Sequence, residues 1–246
     1  SRNNDDGSGF VFDLPDTEEK RIQLKYLSSE QSKNLVFTKI SGLYTEALKP
    51  EDIPKSTYDI IVEKSDGDPF YIEQIVLYLS ENNLISENYT ITEKFFKIPS
   101  SINTLIISRI DRLNSELKEI VKTASVLGRE FAVNILTKML NNKEIQPYLV
   151  EGEKETIWAM VNDLRYIFKH ALIRETVYEM QLKQSLRETH LLAAETMEEL
   201  YTDDLSKVYG ELANHFEKAE KEEKIFEYFE KAGDSAKDKY MNELAL

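Results

Sequence analysis

The sequence predicts a mainly α-helical chain. Three observations carry that prediction. Apolar residues recur at helical spacing through most of the chain, almost without a break from Ser100 onward. The 246 residues include only 8 glycines and 6 prolines, few for the tight turns of an all-β chain. Hydrophobic residues make up 41% and charged residues 31%, enough to bury a core under a solvated helical exterior.

The elements follow in order. Residues 1–20 carry Asn, Asp, Gly and Ser around Phe10, Val11 and Phe12, which reads as a strand running into a loop. Ile22, Leu24 and Tyr26 alternate with polar residues and predict a second short strand. Ser28 with Gln31 three residues later makes a capping box, opening a helix through Leu35, Val36, Ile40 and Leu43. A helix from Pro54 to Lys64 follows, with Gly67 just past its end. Asp68-Pro69 restarts a helix, Asp68 as N-cap and Pro69 at the first helical position, where its missing N–H costs nothing. That helix carries Ile72, Ile75, Val76 and Leu79 on one face and stops at Asn82-Asn83. Residues 84–98 read as a small hairpin closed by Pro99. Helices are predicted at about 100–113, 115–127 and 130–140, with Gly128 as a C-terminal cap between the last two. Residues 141–165 predict a short helix and one arm of a hairpin that ends in Tyr166-Ile167-Phe168. Further helices are read at 170–182 and 185–201.

Charge and absent motifs narrow the chemistry. With 31 Lys+Arg against 45 Asp+Glu the net charge is −14, which repels phosphate backbones and anionic lipids at long range. Neither a nucleic acid nor a membrane is therefore expected as a partner. No apolar stretch approaches the roughly 18 residues that span a bilayer. Ser1 to Ser8 lacks the basic start of a signal peptide, so a cytoplasmic location is expected. The first residue is not Met, and the chain is expected to be a piece of something longer. Cysteine is absent, which removes disulfides and thiolate metal sites. The three histidines, His170, His190 and His215, have no metal-ligand spacing. No phosphate loop and no nucleophile elbow is present, so no self-contained catalytic centre is encoded.

Three segments carry more information. Gly67-Asp68-Pro69-Phe70-Tyr71-Ile72-Glu73-Gln74 is, by itself, a helix–turn–helix joint. The second runs from Pro99 to Leu113, where Arg109 and Arg112 could reach an anion or simply lie in solvent. The third is Tyr166 to Glu179, in which His170 stands at a helix start, able to offer an imidazole N–H to a phosphate oxygen or to serve structurally. Between the last two lies Ala124-Ser125-Val126-Leu127-Gly128-Arg129-Glu130-Phe131. After them, Tyr209, Leu212, Ala213, Phe216 and Ala219 resemble the first helix of a tetratricopeptide repeat, with Phe226, Phe229 and Ala232 in its second and a further repeat starting near Ala236.

In this order the segments resemble the downstream half of the signal-transduction P-loop ATPases of the STAND class. The match is closest to the ATPase region associated with soluble class III adenylyl cyclases, and it spans residues 22–246. The resemblance implies an architecture: residues 1–27 the end of an α/β nucleotide-binding core, 28–83 a helical lid, 84–182 a winged-helix-like domain with small β-hairpins, 183–205 linker helices, and 206–246 the start of TPR-like helical hairpins. It also implies that Pro69 packs on adenine and His170 contacts phosphate in a closed, ADP-bound state, with Arg109 and Arg174 as further phosphate or interdomain contacts. Asp68 and Gln74 depart from the family's usual Asn and Glu. ATP or ADP with Mg²⁺ is the implied cofactor, held mainly by parent residues upstream of Ser1, and a protein partner is implied for the repeats. The implied function is a regulatory nucleotide switch without catalysis of its own. Its output is a cyclase first, then a kinase or transcription regulator. The alternatives are a helical interaction scaffold and a winged-helix DNA reader.

Overall fold

A computed structural model describes residues 25–44, 47–91 and 101–238. The chain is mostly helical, with eleven α-helices and one small antiparallel sheet among these residues. It divides into two units, residues 1–73 and 74–246, with the division inside a helix.

The first unit is built on α1 (Ser29–Ser41) and α2 (Lys55–Ser65), followed by the first turn of α3 (Pro69–Glu81). The capping box forms as its local chemistry dictates: Gln31 N–H donates to Ser28 Oγ at 3.3 Å and Ser28 N–H to Gln31 Oε1 at 2.9 Å. Val36 and Ile40 of α1, Tyr58 and Ile61 of α2, and Ile72 of α3 are buried. The Tyr58 hydroxyl donates to Pro50 C=O at 3.1 Å, so the one polar atom of that ring is satisfied. Residues 25–28 have no regular structure, so the strand expected to reach Tyr26 does not extend into them; Leu27 N–H donates instead to Gly67 C=O at 2.9 Å. The strand expected around Phe10 lies outside the described residues, as do Ile22 and Leu24.

In the second unit, α3 ends at Glu81 and Asn83 takes a left-handed turn (φ 53°). The expected hairpin at 84–98 is present as a single bridge, Ile85 to Ile91; its remainder lies outside the described residues. Then come α4 (Ile102–Arg112), α5 (Ser115–Leu127), β1 (Glu130–Ala132), α6 (Val133–Met139), α7 (Gln146–Lys154), β2 (Trp158–Asn162), β3 (Arg165–Phe168) and α8 (Ala171–Glu179). The helix expected over 130–140 starts only at Val133. Its first three residues pair instead with β3, Phe131 opposite Tyr166, because that places Phe131 among buried aromatic rings. The sheet order is β1-β3-β2. Phe131, Trp158, Tyr166 and Phe168 form the centre of its core.

The last third comprises α9 (Lys183–Leu200), α10 (Tyr209–Lys218) and α11 (Glu222–Asp238). Ala193, Ala194, Leu212 and Ala213 are fully buried, the small residues allowing α9 and α10 to approach closely. Phe216 and Tyr228 stack at 5.5 Å between α10 and α11. Helix α11 runs unbroken to Asp238, and most of the further repeat expected from Ala236 lies outside the described residues.

Candidate functional site

The joint between α2 and α3 is fixed by backbone chemistry. Asp66 (φ 49°) and Gly67 (φ 77°) make consecutive left-handed turns. A side chain at Gly67 would be strained there and would bring its Cβ within 2.5 Å of Leu27 C=O. Asp68 then caps α3, its Oδ1 accepting from Tyr71 N–H at 3.0 Å. This leaves Pro69 at the first position of the helix, exposed to solvent. A rigid apolar ring held at a helix start is a surface on which a planar base can stack. The first helical position is the one the sequence pattern predicts for this residue.

Arg109 projects from α4 with its side chain nine-tenths buried. Nη1 donates to Gln74 Oε1 at 2.6 Å, and Nη2 donates to Glu155 C=O at 2.7 Å and to Thr156 Oγ1 at 3.3 Å. The Glu81 carboxylate lies 3.5 Å from Nε and also pairs with Arg112. The guanidinium therefore joins α3, α4 and the carbonyl end of α7: its Nη atoms donate to three groups, while the buried Nε lies beside the Glu81 carboxylate without a hydrogen bond.

Arg174 is spent in a similar way. Its Nε donates to Ser125 C=O at 2.7 Å, in the last turn of α5, where exposed carbonyls attract a cation. Its guanidinium also lies over the Tyr178 ring, 4.8 Å from the centroid. Both arginines act here as joints.

His170 is the N-cap residue of the nine-residue α8, with extended backbone angles. Its ring makes no capping bond to that helix and is half-exposed. Pro69 and His170 belong to different units.

A second constellation was not singled out from the sequence. Within the second unit, the Tyr178 hydroxyl lies 2.8 Å from His190 Nε2, and His190 Nδ1 lies 2.8 Å from His215 Nδ1. Both imidazoles are buried. One continuous chain of hydrogen bonds thus joins α8, α9 and α10. An Nδ1-to-Nδ1 bond needs one ring to donate and the other to accept, which two neutral imidazoles satisfy. Burial lowers the His190 pKa to about 3, assisted by His215, Arg174 and Lys218. Burial, then the Arg174 charge, lowers that of His215 to about 4. The signal for this pair was positional. His190 precedes Ala193, Ala194 and Met197 on a buried stripe, and His215 adjoins Leu212 and Phe216 on another.

Among the described residues no group of three or more His, Cys, Asp or Glu is placed to hold a metal ion. None of the described helices is long and apolar enough to cross a membrane. In comparisons with known proteins the chain matches no family model and no curated protein.

Proposed function

We propose that this chain is the regulatory segment of a multidomain, ATP-binding signalling protein: a helical lid, a winged helix and the start of tetratricopeptide-like repeats. The observation that carries the reading is the order of elements in the second unit. Helix α5, strand β1, helices α6 and α7, then β2 and β3, with sheet order β1-β3-β2, follow one another as a winged-helix reading requires, and this supports that reading. It stands after the Asp68-capped, Pro69-headed helix and before the α10–α11 hairpin, in the sequence order of the STAND-class resemblance.

In this reading adenine stacks on Pro69, and the His170 imidazole, at the N-terminus of α8, donates to a phosphate oxygen. Core residues outside this chain hold the remaining phosphates and Mg²⁺. Arg109 joins α3, α4 and the end of α7, and Arg174 joins α8 to α5. Nucleotide bound between core, lid and winged helix favours a closed state, and its exchange releases the segment. A soluble cyclase is the favoured output of the parent protein.

A DNA-reading role is disfavoured by the net charge of −14 and by α7, the helix a winged-helix DNA reader would place in the groove, which carries Glu151 and Glu153. An interaction scaffold is the second reading. The observation in its favour is the exposure of Phe226 and Phe229 on α11.

The test is nucleotide retention. The full-length protein is expected to carry ADP through gel filtration, and His170→Ala to elute with at least a tenfold smaller nucleotide load. Equal loads in both proteins would remove His170 from the switch.

A further inference from the structure

A groove of about 460 Å³ lies between β1 on one side and α9 and α10 on the other, all within the second unit. We propose that this groove takes an extended, acidic segment of a partner protein, which adds a strand to the free edge of β1. The proposal stands apart from the nucleotide reading, because none of Pro69, His170, Arg109 or Arg174 lines the groove.

The strand edge is the first observation. β1 is terminal in the sheet order β1-β3-β2, and all five residues from Gly128 to Ala132 line the groove. Phe168 N–H donates to Arg129 C=O at 2.8 Å and Val133 N–H to Leu164 C=O at 2.9 Å, so residues 129, 131 and 133 turn their backbone groups toward β3. In an antiparallel pair the alternate residues turn theirs away. The Glu130 N–H and C=O and the Ala132 N–H therefore face outward from the sheet, where an extended chain can bond them. Such edges are usually covered or blocked; here the opposite side is a groove.

The floor is the second observation. Phe131, Ile135, Met197 and Val208 line the groove and are buried, so it offers an apolar base for one side chain of the added strand. Its volume falls within the roughly 300–1,000 Å³ of small-ligand and side-chain sites.

Charge decides the class of partner. The lining holds three cations, Arg129, Arg165 and Lys207, and two anions, Glu130 and Glu211, in a chain of net charge −14. Arg165 is used by Glu130 at 2.9 Å and Lys207 by Asp204 at 3.2 Å. That leaves Arg129, exposed and in no ion pair among the described residues, on the strand itself, and Glu211, likewise exposed, on α10 at the other side of the groove. The planar fork of Arg129 suits a carboxylate two residues away from the side chain that fills the floor.

The experiment measures fluorescence anisotropy of two labelled seven-residue peptides, one alternating Val with Glu and the other Val with Lys, titrated with the 246-residue chain. The Val/Glu peptide is expected to bind at least tenfold more tightly than the Val/Lys peptide. Arg129→Glu, a change on an exposed side chain, is expected to abolish that preference. Glu130→Pro removes the outward N–H of an edge strand, a place where proline is tolerated, and is expected to abolish binding of both. Should Glu130→Pro lower the melting temperature, the Arg129→Glu result alone decides. Equal affinity for the two peptides, binding of neither, or a preference untouched by Arg129→Glu would overturn the proposal.

Discussion

Trp158→Ala is expected to destabilise the protein by about 3–5 kcal/mol, the range for removing a large buried aromatic ring. Trp158 is 1% exposed and meets Phe131 edge-on at 5.5 Å and Phe168 at 5.9 Å. Its Nε1 donates to Leu149 C=O at 2.9 Å, near the middle of α7. The ring thus ties the sheet to that helix by both packing and a hydrogen bond. The space it occupies exists because residue 152, one turn on, is glycine. A Cβ there would sit 2.7 Å from Trp158 Nε1 and closer still to two ring carbons. Gly152→Ala is therefore expected to destabilise by about 1–3 kcal/mol through overpacking. In the Trp158→Ala background the same change should cost almost nothing, because the clash has been removed. Urea unfolding of the four proteins in this cycle measures the coupling. Strictly additive losses would mean that indole and glycine are not packed against each other.

Acid should unfold the second unit earlier than its carboxylates alone would. The folded-state pKa values of His190 and His215 are lowered, to about 3 and about 4, chiefly by burial. A histidine in the unfolded chain titrates near 6.5. Between these limits the unfolded state binds more protons, so stability is full above about pH 6.5 and falls as the pH drops toward 4. The loss by about pH 4 is on the order of several kcal/mol for the pair. Protonating both rings would set two N–H donors against each other at 2.8 Å, with Arg174 and Lys218 adding repulsion. Melting temperature measured from pH 7.5 down to 4.5 is the readout, a window in which most carboxylates remain ionised. A double His190→Gln, His215→Gln variant should melt lower at pH 7.5 and show a much flatter profile. A wild-type profile flat through this window would contradict the buried, neutral pair.

What could be read from the sequence was local. The Ser28/Gln31 box, the Asp68 cap with Pro69, and the helix stop at Asn82-Asn83 each depend on residues within four positions, and each forms. Strand β1 was not legible, because three residues give no periodicity and their pairing partners lie about 35 positions on. The partners of Arg109 lie at residues 74, 81, 155 and 156, distances at which spacing rules say nothing. Its burial and its part in joining α3, α4 and the end of α7 were therefore not legible in the sequence. The two histidines were visible only as polar residues on apolar stripes. That they meet is a consequence of α9 and α10 crossing at their small residues.

The most direct measurement is calorimetric titration of ADP into the nucleotide-free, full-length protein and its Pro69→Ala form. If Pro69 is the base-stacking surface of a nucleotide-held lid, ADP binds the parent tightly and the variant at least tenfold more weakly, with the fold unchanged by circular dichroism. Affinity equal in the two proteins, or no heat of binding in either, would contradict the switch and leave the helical scaffold as the function.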